Sequence, residues 1–537
     1  MQDVDVVVIG SGAGGLAAAT ALARHGKSVL VLEQHYLPGG WCHSFPLEGF
    51  QFSPGVHYIG GIEPGGKVRE IYEGLGVSDH LTMLELNPDG FDHVIVGDQR
   101  FDIPKGRENY RERLKQRFPK EQRGIDRFID DIGQIHRELM AGLNVQDLTQ
   151  IGRLATSRVV RKGWRRLGPY VDSIVDDPFL KAVLTIQTGD SGLPPSRCPL
   201  ALHAAIVGHY FQGGYYPKGG ARSLPAAFLK VLRAHGGKIK LRTRVERILV
   251  EDGKAIGVRL ADGTEVRAGL VISNADPAVT WGMVPDEVVP KRVQRRLAKQ
   301  RWSLSGVSLF FAVDKDLRAD GMDSGNYWYA RTDVESMYKP VGMSDLSGLG
   351  RLPGSFLTVT SLKDPSKRKD GLHTLESFAF VGYDAFRKWE QSDHEDRPED
   401  YAAFKDRMAD QMLDVIDEYA PGLRDHVVFK AIGTPQTNRF YVNSTEGNLY
   451  GTEKTLRNVG PLAWRIQTPI EGLLMCGAST VGHGVAGATI SGVLAAGKAL
   501  GLGWKQTLNG HGKPLQTLLC DHPETWPESS RPEVAAK

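Results

Sequence analysis

The feature that most constrains this chain is a strand–turn–helix signature within its first forty residues. Val4-Asp5-Val6-Val7-Val8-Ile9 is an apolar run of the length of a buried parallel strand, and Gly10-Ser11-Gly12-Ala13-Gly14-Gly15 sets a G-x-G-x-x-G pattern at its end. Gly10 permits the sharp turn, Gly12 lets the backbone approach a pyrophosphate, and Gly15 allows helix and strand to pack closely. A helix over Leu16–His25 follows, its amides and dipole directed at negative charge, and Gly26 stops it. Ser28–Leu32 reads as the next strand. It ends at Glu33, where an acid about 20 residues after the glycines would hold a ribose hydroxyl. Strand, glycines, helix, strand and acid in that order predict a Rossmann-like dinucleotide-binding βαβ unit rather than an ordinary glycine turn.

A second glycine pair comes directly after the acid. Glu33-Gln34-His35 leads to Gly39-Gly40-Trp41-Cys42-His43-Ser44-Phe45, and Gly55-Val56-His57-Tyr58-Ile59-Gly60 follows. These stretches resemble the phytoene desaturase-type flavoproteins, within them the branch of retinol saturase (all-trans-retinol 13,14-reductase) and carotenoid isomerase. The likeness is densest over residues 4–62, thinner at 213–277 and 432–500, and faint elsewhere. It implies FAD as cofactor and an α/β fold: a Rossmann-like FAD-binding domain of glutathione-reductase type interleaved with an α+β substrate domain. It also implies flavin-nucleotide contacts from Gly10, Gly12, Ala13, Gly14, Gly15, Glu33, Gln34, Gly39, Gly40, Trp41, Cys42 and His57. Later in the chain it adds Val245, whose backbone would meet the adenine, and Gly477, Ala478, Val485 and Ala486.

A chain of 537 residues is long for one core and predicts two or more domains. The FAD-binding domain is assigned residues 1–85, 213–285 and 432–505, and the substrate domain 86–212 and 286–431. Gly213-Gly214-Tyr215-Tyr216-Pro217-Lys218-Gly219-Gly220 resembles the family element that re-enters the FAD domain, or is a loop shaped by packing alone. A helix Ser223–His235 and strands at Lys238–Leu241, Val245–Glu251, Ala255–Leu260 and Thr264–Ala268 follow, the last three joined by Asp252-Gly253 and Asp262-Gly263 turns. Val271–Ala275 reads as a further buried strand. Ser305–Val313, Phe356–Thr360 and Leu375–Val381 are strand-like, and Asn326-Tyr327-Trp328-Tyr329 lines an apolar pocket or is plain core. Gly482, Gly484 and Gly487 repeat the fingerprint without an acid about 20 residues later, so the helix after them fits better as the closing helix of the FAD domain, its N-terminus toward the flavin. Residues 506–537 are polar and predicted to be disordered.

The net charge of +3 is nearly balanced and gives no case for nucleic acid. Cys42, Cys198, Cys476 and Cys520 are scattered and form neither a disulfide framework nor metal spacing, so no metal is expected and the default setting is reducing, cytoplasmic or membrane-facing. No signal peptide or apolar run of spanning length is evident. The stretch 153–171 is different: six Arg and Lys residues without an acid, interleaved with Trp164 and Tyr170, match an interfacial helix on anionic lipid, or a basic surface helix. This is the expected route of any peripheral membrane contact. Oligomeric state is not legible.

Flavin alone can move hydride or single electrons, and no Ser-His-Asp set, recognisable carboxylate pair or Cys/His cluster competes with it. The resemblance implies a hydrophobic conjugated substrate, retinoid- or carotenoid-like, and saturation of a C=C bond by hydride from reduced FAD. Cis–trans isomerisation and desaturation are the alternatives, and a GDP-dissociation-inhibitor-like lipid- or protein-binding module is the reading from a different class. Tyr58, His57 and His483 are the hypothetical proton donors. Their structural alternatives are a packing residue, a backbone-bonded core histidine and a flavin-side contact, in that order. NAD(P)H is one possible external reductant, although no separate unit for it is evident.

Overall fold

The computed structural model describes residues 2–142, 157, 159–510 and 512–531. Strand β1 (Gln2–Ile9), helix α1 (Ala13–Arg24) and strand β2 (Val29–Leu32) form the N-terminal βαβ unit. β1 pairs in parallel with β2 on one side and with Glu265–Ser273 on the other, and β2 pairs in parallel with Lys238–Lys240. Leu473–Met475 adds a parallel strand beside Val271–Ser273, while Val245–Glu251 and Lys254–Leu260 extend the sheet as an antiparallel ribbon. The seven strands therefore come from three distant parts of the chain. Continuous burial of Val29–Leu32 is what a strand covered on both faces requires.

One strand differs from expectation. Thr264–Ala268 and Val271–Ala275 are not separate: Glu265–Ser273 runs unbroken, paired along its length with β1. Its first half closes the ribbon and its second half joins the parallel layer, so Gly269 lies within a strand and does not interrupt it. Lys238–Lys240 likewise belongs to the parallel edge and not to the meander.

The second sheet also has seven strands, in the order Val427–Gly433, Ser305–Val313, His373–Val381, Gly354–Val359, Asn326–Ala330, Asp92–Val96 and Gln99–Ile103. Every residue of His373–Val381 and Asn326–Ala330 is buried. Trp328 packs edge-on to Phe356, and Asn326–Tyr329 is core. The helices Gln122–Ala141 and Leu200–Tyr210 pack on one another and cover this lobe.

The C-terminal segment contradicts the expectation of disorder over the residues described. Gln516–Leu519 pairs in parallel with Thr82–Glu85, which pairs on its other edge with Tyr215–Pro217. Cys520 is fully buried and Trp526 is 1% exposed. Two apolar side chains and a free sheet edge hold a segment whose composition is otherwise that of a tail. Residues 511 and 532–537 lie outside the described residues.

The basic stretch 153–171 is described only at 157 and from 159 onward, so Arg153, Leu154 and Arg158 lie outside the described residues. What is described is no continuous helix: a π-turn at Val159–Gly163 and a short helix at Leu167–Asp172 are separated by an extended Arg166. Arg161, Trp164, Arg165 and Arg166 are exposed, and Lys162 pairs with buried Asp131 at 2.7 Å. Among the described residues no helix is long and apolar enough to cross a membrane.

Candidate functional site

One cavity of ≈ 750 Å³ runs between the two lobes. Gly10, Gly12, Ala13, Glu33, Gln34 and Val245 wall one end, Gly39, Gly40, Trp41, Cys42 and Gly477–Ala478 the middle, and His57, Tyr58, Asp190, Tyr450 and His483 the centre. The lining also includes the apolar side chains of Tyr210, Phe356, Phe378, Leu202, Ile206 and Met140, with His136 and His209 among them.

The nucleotide end is built by backbone geometry. Gly10 has φ +88°, a conformation that favours glycine, and its N–H donates to Leu32 O at 2.8 Å. Gly40 has φ +54°, and a Cβ there would lie 3.2 Å from Gly12 Cα, so the two glycine turns face each other closely. A buried network ties them together. Ser11 donates from its backbone N–H (2.8 Å) and its hydroxyl (2.7 Å) to Glu33 Oε2, while Gly39 N–H donates to Ser11 Oγ at 3.0 Å. His35 N–H donates to Glu33 Oε1 at 2.8 Å. Glu33 is thus a fixed, buried carboxylate on the cavity wall, with lone pairs left for a ribose hydroxyl.

Gly14 and Gly15 do not line the cavity. A Cβ on Gly14 would lie 2.9 Å from Ala488 O and one on Gly15 2.2 Å from Gly10 O, so both act by letting α1 approach its neighbours. For both Gly14 and Gly15 this packing role stands where the resemblance implied a cofactor contact. For Gly14 the neighbour is the helix Gly484–Leu500, where a Cβ on Gly492 would lie 2.0 Å from Gly14 O; the first residues of that helix, Gly484, Val485 and Ala486, line the cavity. Asn274, expected from the sequence only as part of the buried strand Val271–Ala275 and not as a site residue, lies against Gly12 and Gly477 and also lines the cavity.

The central residues form a polar group within aromatic walls. The Tyr58 hydroxyl lies 2.7 Å from Asp190 Oδ2 and 3.2 Å from Asp92 Oδ2, and its ring stacks on Tyr210 at 4.3 Å. Asp92 also accepts from Gln187 (2.8 Å) and Asn326 (3.0 Å). Burial, then the neighbouring Asp92, raises Asp190 to about 8; Asp92 is raised by burial to about 6, its hydrogen-bond donors opposing the shift. A carboxylate pair does therefore exist, contrary to the sequence reading, which looked for local spacing.

His483 Nε2 lies 2.6 Å from Asp190 O and its buried Nδ1 has no partner. Burial, then Lys454, lowers it to about 3. A neutral ring whose only N–H is engaged by a carbonyl has no proton to give, so His483 is an acceptor here, not the expected donor. His57 Nδ1 is 3.4 Å from buried Glu376 Oε2, and the ring packs on Phe356 and Phe378. Its backbone O, not its ring, takes the hydrogen bond, from Lys363 at 2.7 Å. Cys42 is buried, which pushes its thiol up to about 12 and keeps it protonated. Among the described residues no cluster of His, Cys, Asp or Glu could hold a metal ion.

Facing glycine turns, a ribose-facing carboxylate and free amides at a helix start supply the donors and acceptors that a flavin dinucleotide needs, and the residues fit FAD. Comparison with known proteins agrees. The chain is 31% identical over 533 residues to an all-trans-retinol 13,14-reductase of Danio rerio, covering 93% of this chain and 86% of that one. It is 27% identical to a prolycopene isomerase of Daucus carota, covering 94% and 81%. The fold superposes on an oxidoreductase from Methanosarcina mazei with a TM-score of 0.62 at 19% identity, covering 91% and 99%. The profile of flavin containing amine oxidoreductases matches residues 13–500, and with the glycine cleft and these relatives it establishes that the chain belongs to that family of FAD-dependent oxidoreductases.

Proposed function

We propose that this enzyme saturates a C=C bond in a hydrophobic conjugated molecule of the retinoid or carotenoid class. The observation that carries the reading is that the glycine turns and an apolar set, Phe356, Phe378, Tyr210, Leu202 and Ile206, line one and the same cavity. Such a lining favours an extended apolar substrate. Relatives that include retinol reductases support the same substrate class.

FAD held here and reduced by an external two-electron donor such as NAD(P)H would supply the hydride chemistry for an alkene carbon. The chain's residues do the rest. Gly10, Gly12, Glu33, Gly40 and the start of Gly484–Leu500 hold the cofactor; the aromatic lining orients the polyene and excludes water; and Tyr58 presents a proton to the second carbon. His483 Nδ1 and His57 are acceptors or orienting groups for a polar end of the substrate. The exposed Arg161, Trp164, Arg165 and Arg166 are the part of the basic stretch that would rest on an anionic bilayer, where such a substrate dissolves.

Anaerobic incubation of photoreduced enzyme with a panel of retinoids and carotenoids, read by mass, tests the reading. A gain of two hydrogens is expected. An unchanged mass with altered retention makes the enzyme an isomerase, and a loss of two hydrogens with oxidised enzyme makes it a desaturase.

A further inference from the structure

We propose that Asp190 is held as a neutral carboxylic acid and stores the proton that Tyr58 hands to the substrate, with Asp92 as the fixed anion behind them. The assignment rests on the reductase reading above.

Hydrogen counting carries it. The Tyr58 hydroxyl has one hydrogen and lies within bonding distance of two carboxyl groups, Asp190 at 2.7 Å and Asp92 at 3.2 Å. It can donate to only one of them, so the other contact needs a hydrogen from the acid itself. Asp92 already accepts from Gln187 and Asn326, and Lys363, the amine facing it, which burial lowers to about 7, is anchored 2.5 Å from Asn326 Oδ1. Tyr58 completes three donors around Asp92, a setting for an anion. Among the described residues Asp190 has Tyr58 as its only side-chain partner, and the other titratable groups facing it are Asp92, Tyr210, Tyr338, Tyr450 and His483, none of them a cation. The chain of bonds therefore runs from the Asp190 acid to Tyr58 to Asp92. The raised Asp190 agrees with it.

The arrangement does two things. It gives a phenol, a weak acid on its own, an immediate source from which its proton is restored. It also places that source beside His483, because Asp190 O fixes the His483 ring. In the step, the Tyr58 O–H bond would break as its proton is bonded by the alkene π pair at the second carbon, the first carbon being the one to which bound, reduced FAD would supply hydride. The Asp190 proton then moves to Tyr58 oxygen, leaving a carboxylate that water reprotonates after product leaves. Asp190 acts through Tyr58 and is a positioning and proton-supplying residue.

Asp190→Asn, Tyr58→Phe and Asp92→Asn, each checked for FAD content, test the proposal in two ways. Infrared spectra of the substrate-free holoenzyme are expected to show a protonated-carboxyl C=O stretch at neutral pH that vanishes in Asp190→Asn and shifts in Tyr58→Phe. Substrate-driven reoxidation of reduced Asp190→Asn is expected to slow roughly a hundredfold, the low end for a general acid, and to lose its alkaline limb. In Asp92→Asn that limb is expected to move to lower pH. Absence of the acid stretch in the wild type overturns the proposal. So does an Asp190→Asn enzyme with wild-type rate and pH profile while the wild type reduces a polyene, which leaves the reductase reading intact. A wild type that reduces no polyene overturns that reading, and the proton-supplying role with it.

Discussion

Glu33 shows how one residue joins fold to cofactor. Its two oxygens accept from Ser11 and His35, so the carboxylate is fixed before any ligand arrives, and the same Ser11 hydroxyl ties down Gly39. Glu33→Gln removes the charge but keeps the shape. A charged hydrogen bond is worth about 1.5–3 kcal/mol, so the variant is expected to bind FAD roughly tenfold to a hundredfold more weakly, measured by flavin fluorescence quenching on the apoprotein. Unchanged affinity would show that Glu33 serves Ser11 alone. This residue was legible in the sequence because the glycine spacing dictates where an acid must stand. Ser11, two residues from Ala13 and inside the same motif, was not, since a serine at a variable position carries no signal until its hydroxyl is seen between two loops. Asp190 was illegible for a related reason. Its partners Asp92 and Tyr58 lie far away in the chain and meet it only when the Asp92–Val96 strand docks beside the Ile186–Ser191 turn.

At the scale of elements, local chemistry was read well and borrowed stability was not. The Asp252-Gly253 turn has φ +49° and +79°, the left-handed pair that its dipeptide predicts. Gln516–Leu519 has no such signal, because four residues become a strand only when the Thr82–Glu85 edge is there to receive them. Trp526 then closes over the join, donating from Nε1 to Leu519 O at 2.7 Å. Trp526→Ala is expected to cost about 3–5 kcal/mol in denaturant unfolding. No change would mean that the segment adds nothing to the fold. A second element has a pH signature. His93, in the strand Asp92–Val96, lies 2.7 Å from Asp102 and 2.8 Å from Asp323. Burial opposes its charge, but bonds to both acids outweigh that and hold it above its ordinary 6.5. Asp102 is lowered to about 2 by His93 and Arg100 against the effect of burial. A raised histidine stabilises fully below the unfolded value of 6.5 and loses that contribution as pH rises through its folded value. A lowered aspartate stabilises above its ordinary 3.8 and loses that as pH falls toward about 2. The clamp is therefore strongest between those two ordinary values. Unfolding midpoints are expected to fall from about pH 6 to about pH 9. The fall should be smaller in His93→Gln, and an equal fall in both proteins would rule the clamp out.

Across the whole molecule the chain passes from the nucleotide sheet (Gln2–Leu32) to the second sheet (Asp92–Ile103), back (Lys238–Ser273), across again (Ser305–Gly433) and back once more (Leu473–Met475). Residues from both lobes, among them Gly10, Val245, Phe356, Phe378 and Tyr450, line one cavity, so a ligand at the nucleotide end touches segments that continue into the other lobe. Thr445–Gly451 makes this concrete. Thr445 N–H donates to Asp276 of the nucleotide side at 2.9 Å, while Leu449 N–H donates to Leu304 O and Tyr450 O–H to Gly189 O, both at 3.1 Å. FAD should therefore tighten more than its own cradle. At a free concentration a hundredfold above Kd, binding adds about 2.7 kcal/mol of stability, available to any segment whose opening breaks the site. Hydrogen exchange of apo and FAD-loaded protein is expected to show added protection at Gly10–Gly15 and Gly39–Cys42, and also at Ile186–Ser191 and Thr445–Gly451, which touch the cavity only at its centre. Protection limited to the glycine turns would mean that the lobes open independently, and that a loaded cofactor does nothing to set the position of Tyr58 and Asp190.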